Sequence, residues 1–218
     1  MHTSFTRHAG VAVPLICGPM YPCSNPELVA AVSDAGGLGV VQPIALSYVH
    51  GHELRAGVRH IRTLTPKPIG FNALIEASSR TYLARMSQWI DVALEEGIRF
   101  FITSLGDPRW VCERVHASGG VVYHDVTEAR WARKAVEGGA DGLIAVNARA
   151  GGHSGSRDAE ALLEELRPFG LPVVAAGGIG TPQDFARHLA MGYVAAQLGT
   201  RFIATPECRA SAAYKQAI

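Results

Sequence analysis

The sequence predicts a single α/β domain folded as a TIM-type (β/α)8 barrel. Short apolar runs alternate with amphipathic segments along the whole 218-residue chain, a pattern typical of parallel strands joined by helices. There are eight such runs, which is the number of strands that closes this kind of barrel, although an open doubly wound sheet also remains compatible with the alternation. We therefore expect residues 1–218 to form one domain, without a linker.

In the first half of the chain, turn and cap residues separate the apolar runs. Asn25 and Pro26 open the first helix as N-cap and first helical residue, and Gly36-Gly37 ends it. Apolar residues recur at helical spacing from Tyr82 to Glu96. The predicted strands here are 13–17, 38–41, 69–74 and 100–103, and the predicted helices are 26–35, a weaker 49–64, 82–96 and 108–118.

The second half repeats the same unit. Thr127 is expected to cap a helix that ends at Gly138-Gly139, and Thr181-Pro182 opens another helix by the cap-then-proline pattern. A last helix is expected from Pro206 to the end. The predicted strands are 121–123, 142–146, 172–176 and 194–198, and residues 158–166 are predicted to be helical.

The composition argues against several classes of function. Lys and Arg number 20 against 19 for Asp and Glu, so nothing points to nucleic acid or to an anionic membrane surface. The N-terminus lacks a signal-peptide pattern, and no apolar stretch approaches transmembrane length. The four cysteines have neither zinc-site nor disulfide-framework spacing. We expect a cytoplasmic protein that acts on a small molecule without a metal. The sequence leaves open whether the chain forms a homo-oligomer.

The active site of such a barrel is built from the residues that follow its strands. They form a polar, glycine-rich ring with no acidic cluster, no lysine and no nucleophile beside a base, which argues against hydrolase, Schiff-base and metal-dependent chemistry. The ring consists of Gly18-Pro19-Met20, Gln42-Pro43, Asn72, Ser104, His124, Gly151-Gly152-His153, Gly177-Gly178-Ile179-Gly180 and Gly199-Thr200.

Two parts of this ring suggest specific chemistry. The glycine turns after strands seven and eight occupy the usual phosphate position of the fold, where backbone N–H groups bind the anion. The alternative is a pair of tight turns without a ligand. His153 stands among glycines after strand six, and an imidazole held there suits proton transfer. The alternative is a surface loop with an incidental histidine.

Six stretches together resemble the nitronate monooxygenases, also called 2-nitropropane dioxygenases, and their relatives the flavin-dependent enoyl-ACP reductases. They occur in the same order over nearly the whole chain, and as a set they are specific. They are Cys17-Gly18-Pro19-Met20, Ala35-Gly36-Gly37-Leu38-Gly39, Gly70-Phe71-Asn72, Ala150-Gly151-Gly152-His153-Ser154-Gly155, Ala175-Ala176-Gly177-Gly178-Ile179, and Gly199-Thr200-Arg201-Phe202-Ile203-Ala204-Thr205.

The resemblance implies noncovalently bound FMN, which oxidises alkyl nitronates with molecular oxygen. His153 is then the catalytic residue, either a base for the α-proton of a nitroalkane or a group that positions the nitronate. The implied cofactor contacts are the loop Gly18, Pro19 and Met20 against the flavin ring, polar contacts from Asn72 and His124, close backbone approach at Gly151 and Gly152, and a phosphate cradle of Gly177, Gly178, Gly180, Gly199 and Thr200.

Two alternatives share these motifs: an FMN-dependent enoyl-thioester reductase that uses NAD(P)H, and a flavin-binding barrel without catalysis. The sequence also departs from the family pattern in three places. Asp125 stands where some relatives carry a lysine, and Ser154 and Ser156 make the His153 loop more polar than in some members. The chain also stops at Ile218, where relatives continue into a segment that helps cover the site. We therefore expect a barrel that lacks this C-terminal segment.

Overall fold

The computed structural model describes residues 1–76 and 78–218 and confirms the closed parallel barrel. Eight strands pair in chain order, and β8 returns to pair with β1 through Leu15–Ala196, Ile16–Gln197 and Cys17–Leu198. The strands are β1 Leu15–Cys17, β2 Leu38–Val41, β3 Ile69–Leu74, β4 Phe100–Ser104, β5 Val121–Val126, β6 Gly142–Val146, β7 Val173–Ala176 and β8 Ala195–Leu198.

Helices surround the barrel and connect successive strands. They are α1 Ser4–Ala9, α2 Pro26–Asp34, a π-helix Ala45–Val49, α3 Leu54–Leu64, α4 Arg80–Glu95, α5 Arg109–Ala117, α6 Ala129–Glu137, α7 Ala159–Leu166, a 3-10 turn Arg167–Phe169, α8 Pro182–Met191, α9 Thr200–Ile203 and α10 Ala212–Gln216. Among the described residues, none of these helices is long and apolar enough to cross a membrane.

Side-chain caps fix where several helices begin. The hydroxyl of Ser79 accepts from the Tyr82 N–H at the start of α4, and the Asp158 carboxylate accepts from the Ala161 N–H at the start of α7. Thr181 and Asp184 form a reciprocal capping box at the start of α8. Such caps pair amide groups that the first helical turn leaves free.

The structure corrects four sequence-based boundaries. Strand β5 runs to Val126 rather than Tyr123, so His124 lies inside the strand. Helix α6 has Glu128 rather than Thr127 at its N-cap position. The segment 49–64 divides into the π-helix and α3, with Glu53 as the α3 cap. The expected helix from Pro206 is reduced to α10, which Ser211 caps.

Alternation along the strands divides the core into two layers. One set of side chains fills the barrel, among them Ile16, Val40, Ile102, Ile144 and Val174. In the described part of the chain, the opposite set packs between the strands and the surrounding helices in three separate clusters. The position of a residue within a strand therefore decides whether its side chain enters the barrel or the outer layer.

Helix α1, which the sequence analysis did not predict, closes the end of the barrel where the strands begin. Phe5 of this helix is fully buried and makes edge-on contacts with Phe100 and Tyr123 inside the barrel, with ring centroids 5.5 and 6.1 Å apart. The Nδ1 of His8 lies 3.1 Å from the Tyr123 hydroxyl. The barrel is thus filled from this end, and the opposite end is left for a site.

Candidate active site

The barrel mouth at the carboxyl ends of the strands is lined by polar side chains. We use the term barrel mouth for the interior positions of Asn72, Asp125 and Gln197. Each lies two residues beyond an interior position, namely Gly70, Tyr123 and Ala195 respectively. Since side chains of a strand alternate between its faces, all three point into the barrel. Sequence reasoning had named only Asn72 among them as a site residue.

Two polar atoms of the barrel mouth are buried without a hydrogen-bond partner. They are Oδ1 of Asp125 and Oε1 of Gln197, considering the described part of the chain. Burial raises the pKa of Asp125 to about 7, because the charged carboxylate is poorly solvated there. Native proteins pair nearly all buried polar atoms, so orphaned acceptors at the mouth indicate space for a ligand that brings donors.

His124 faces away from the barrel mouth. It precedes Asp125 in β5 and is therefore on the outer face, where its Nδ1 lies 2.8 Å from the Thr103 hydroxyl and its ring is buried. Burial lowers the pKa of His124 to about 4, so the ring is neutral at physiological pH. The structure does not bring His124 together with the other predicted site residues, because the strand continues past it.

The loop after β1 lies directly against the turn after β8. The Gly18 N–H donates to the Leu198 carbonyl oxygen over 2.9 Å. A Cβ on Gly18 would come within 2.9 Å of the Gln197 side chain, and a Cβ on Gly199 would come within 3.3 Å of the Met20 sulfur. The structure thus brings together the predicted ring-contact loop and one of the two predicted phosphate turns.

The turn after β7 is held against the loop after β6 by Asn147, which is buried. The Nδ2 of Asn147 donates to the Gly177 carbonyl oxygen at 3.0 Å, and its Oδ1 accepts from the Arg149 N–H at 2.8 Å. Gly177 has a φ of +116°, and a Cβ there would stand 2.4 Å from the Asn147 Oδ1. Glycine is required at this close crossing.

His153 lies on the exposed part of the loop after β6. Its side chain makes no hydrogen bond or ion pair with the described residues 1–76 and 78–218. The preceding Gly152 has a φ of +77°, and a Cβ on either Gly151 or Gly152 would meet open space. Ala148 anchors the base of the loop, where its N–H donates to the Arg157 carbonyl oxygen at 2.7 Å. The imidazole is accessible to a small molecule.

The predicted phosphate turns differ in how their amides are used. The Gly180 N–H donates to Oδ2 of Asp184 at 3.2 Å, so this amide already serves the cap of α8. The amides of Gly178 and Gly199 pair with no acceptor in the described ranges. The Arg149 side chain crosses Gly178, with its Nε 3.0 Å from where a Cβ would stand. A positive charge therefore borders the first turn.

A cavity of about 250 Å³ lies beside the first glycine turn. Asn147, Arg149, Gly177, Gly178 and His188 are among the residues that line it. Within the described residues, no group of three or more His, Cys, Asp or Glu side chains could hold a metal ion. The site thus offers glycine turns, a guanidinium and orphaned polar atoms at the mouth.

Sequence reasoning missed Asn147, Asp125 and Gln197 as candidate site residues. Asn147 carried a usable signal, because it follows strand six directly. Asp125 follows the interior residue Tyr123 by two positions. This spacing places Asp125 inside the barrel only if β5 extends to Val126, as it does in the structure. The interior position of Gln197 depends on the register of β8 with β1.

Comparison with known proteins gives consistent matches over the whole chain. The family model described as nitronate monooxygenase matches residues 2–218. A nitronate monooxygenase of Pseudomonas aeruginosa is 32% identical, and the alignment covers 100% of this chain and 74% of that protein. A (3aS,4S,5R,7aS)-5-hydroxy-7a-methyl-1-oxo-octahydro-1H-indene-4-carboxyl-CoA dehydrogenase of Rhodococcus jostii is also 32% identical. The match covers 95% of this chain but only 56% of the Rhodococcus protein.

Solved structures share the barrel. FabK from Thermotoga maritima superposes with a TM-score of 0.85 at 30% sequence identity, covering 99% of this chain and 67% of that one. A nitroalkane oxidase from Streptomyces ansochromogenes superposes with a TM-score of 0.81 at 28% identity, covering 98% and 72%. The chain thus spans roughly two thirds of the length of these two structures.

Proposed function

The chain belongs to the nitronate monooxygenase family, and on this premise we propose that it binds one FMN and oxidises alkyl nitronates with molecular oxygen. The family is one of oxidoreductases, and a nitronate monooxygenase and a nitroalkane oxidase are among the matches. The observation that carries the proposal is the barrel mouth, where buried Asp125 and Gln197 atoms lack partners, at the same end of the barrel as two glycine turns that retain free amides.

The residues at hand fit an FMN. Gly178 and Gly199 would hold the phosphate through their free amides, and Arg149 would add a positive charge beside Gly178. The Gly180 amide is not counted, since it already pairs with Asp184. Asn72 and Gln197 would contact the polar edge of the ring in the barrel mouth, with Met20 and Gly18 alongside. His124 is left out of this set because it faces the outer layer.

His153 is proposed to act on the substrate. Its imidazole would take the α-proton of a neutral nitroalkane onto a ring nitrogen, or would hold the oxygen atoms of a nitronate that has already lost this proton. When bound, FMN supplies the electron transfer and the reaction with oxygen. The chain's own residues supply orientation: Asn147 fixes the base of the His153 loop to the Gly177 turn.

A second candidate is an FMN-dependent enoyl-thioester reductase that uses NAD(P)H. It is favoured by the superposition with FabK at a TM-score of 0.85 and by the 32% identity to a CoA-thioester dehydrogenase. An enoyl-thioester reductase would need a hydride donor and would leave nitronates unoxidised. Both candidates make use of the same glycine turns and the same His153.

One experiment tests the proposal and separates the candidates. The purified protein is loaded with FMN and mixed under anaerobic conditions with an alkyl nitronate, and in a second sample with NADPH or NADH. We expect the flavin absorbance to be lost with the nitronate and to remain with the nicotinamide. Bleaching by NAD(P)H alone would support the reductase instead. Failure to bind FMN would contradict both.

A further inference from the structure

Asp125 places an ionisable group inside the barrel at a level where the neighbouring strands supply uncharged side chains. On β6 its register partner is Ile144, and on β4 the pair Thr103–His124 puts Ser104 beside it. Tyr123 lies one interior position below, where it contacts His8 at the other end of the barrel. Across the mouth are Asn72 and Gln197. Among the described residues, none of these neighbours of Asp125 carries a charge at neutral pH, and burial is the cause of its raised pKa.

No structural role explains why the carboxyl of Asp125 is enclosed. Its Oδ1 is enclosed and unpaired within the described residues. Asp125 caps no helix and joins none of the ion pairs described for the chain. An interior carboxyl with an unused oxygen loses solvation without compensation. Such a group is expected where it acts on something that occupies the mouth.

We infer that Asp125 adjoins the FMN ring and opposes reduction of the flavin when the carboxyl is charged. The inference rests on the proposed function, since it requires FMN in the barrel mouth. Two electrons and one proton convert the oxidised ring to an anion, so a carboxylate at its edge would then face a like charge. A neutral carboxylic acid has no such repulsion and can donate a hydrogen bond.

The consequence is a proton linked to flavin reduction. Where Asp125 is ionised beforehand, reduction takes up one further proton at an Asp125 oxygen, in addition to the proton bound by the ring. Where it is already protonated, no extra proton is taken up. Burial raises the pKa of Asp125 to about 7 before FMN binds, so the carboxyl passes from its neutral to its charged form near neutral pH. Reduction should therefore become harder as the pH rises through this range.

The test is the midpoint potential of bound FMN between pH 5.5 and 8.5, with dithionite as reductant and a reference dye. The variant Asp125→Asn keeps the size and polarity but cannot ionise. A like charge within contact range shifts an equilibrium by about tenfold or more. We therefore expect Asp125→Asn to hold reduced FMN about tenfold more tightly relative to oxidised FMN at pH 8.5, a rise of about 30 mV. At pH 5.5 we expect the potentials to agree.

The matched control is Asp91→Asn, since Asp91 lies on α4 at the surface and pairs with Arg114. We expect no change in potential from it at any pH. A second measurement needs no flavin: the infrared carbonyl band of a protonated carboxyl, present near pH 6 in the wild type and absent from Asp125→Asn. If Asp125→Asn does not fold, Asp125→Ser takes its place.

The outcomes separate the inference from the function on which it rests. If the wild type binds no FMN, the proposed function fails and the inference fails with it. If the wild type binds FMN but the two proteins have the same potential at every pH, only the inference about Asp125 is overturned. A potential difference that does not depend on pH would also overturn it, because it would indicate a steric effect.

Discussion

The side-chain amide of Asn147 donates a hydrogen bond of 3.0 Å to the carbonyl oxygen of Gly177. This contact joins the loop that carries His153 to the turn that carries Gly178, and it does so at a buried position. The same side chain accepts from the Arg149 N–H. The Asn147 side chain therefore holds the base of the loop that carries the proposed catalytic group against the proposed phosphate turn.

Replacing Asn147 with Ala should destabilise the protein and loosen both loops. The Gly177 carbonyl and the Arg149 N–H would each lose a partner, and leaving buried groups unpaired costs about 1–3 kcal/mol. We expect a lower urea midpoint and weaker FMN binding by fluorescence titration. The control Gln183→Ala removes an exposed amide on α8 and should change neither. Wild-type values in Asn147→Ala would show that the contact does not hold the site.

The barrel could be predicted from the sequence because its signal is repeated. Each βα unit combines a short apolar run with a turn and an amphipathic segment, so an error in one unit leaves the others intact. The eight predicted strands all overlap the observed ones. The short terminal elements were harder to predict. Helix α1 has only 6 residues, and its role depends on Phe5 entering a barrel assembled from strands that are distant in sequence.

The orientation of side chains at the mouth could not be predicted equally well. Ending β5 at Tyr123 made His124 look like a residue beyond a strand, exposed to a ligand. In the structure β5 continues to Val126 through pairing with β6, so alternation turns His124 outward and Asp125 inward. The three-residue error in the predicted end of β5 therefore led to the choice of His124 instead of Asp125 as the residue that faces the site. The end of such a strand is decided by its pairing with strands that are remote in sequence, and the local sequence pattern does not reveal it.

Replacing Gly178 with Val should weaken FMN binding beyond any effect on folding. Gly178 has a φ of +73°, which costs a residue with a side chain about 1–2 kcal/mol. Its new Cβ would also stand 3.0 Å from the Arg149 Nε. Gly119→Val is a matched control: its φ is +72°, its Cβ would meet open space, and it precedes β5 at the other end of the barrel.

We expect the two glycine variants to lose similar stability in thermal unfolding without FMN. Only Gly178→Val should then show a higher dissociation constant for FMN, at least tenfold by fluorescence quenching, because its side chain would crowd the phosphate position. Equal FMN affinities in the two variants would argue against a phosphate at this turn.

The stability of the FMN-free protein should depend on pH through Asp125. Burial raises its folded-state pKa to about 7 from an ordinary value of 3.8. Between these values the folded protein holds a proton that the unfolded chain has released, so stability falls as the pH rises from about 4 to about 7. The loss is at most roughly 4 kcal/mol, and it is smaller if water reaches the carboxyl.

Asp125→Asn removes this titration. In urea unfolding at several pH values, the variant should gain stability relative to the wild type as the pH rises from 4 to 7, and the difference should level off above pH 7. The comparison with Asp91→Asn corrects for general effects of net charge. A constant difference across the range would mean that Asp125 titrates normally in the folded protein.

Replacing His153 with Asn should reduce turnover and leave the fold intact. The imidazole is exposed and makes no hydrogen bond with the described residues, so the variant should keep the thermal midpoint and the FMN content of the wild type. Loss of a proton-transfer group typically lowers a rate by about 10²–10⁴-fold. We expect this loss with a neutral nitroalkane, whose α-carbon must give up a proton, and a smaller loss with the preformed nitronate.

The substrate pair distinguishes two roles for His153. Equal losses on both substrates would indicate that it positions the nitronate, and unchanged rates on both would remove it from the mechanism. His2→Asn is the matched control, since His2 is exposed near the N-terminus at the closed end of the barrel. Steady-state rates should be measured with both substrates at equal FMN occupancy, so that a difference in cofactor content cannot imitate a loss of proton transfer. A His153→Asn protein that fails to fold would instead make the residue structural.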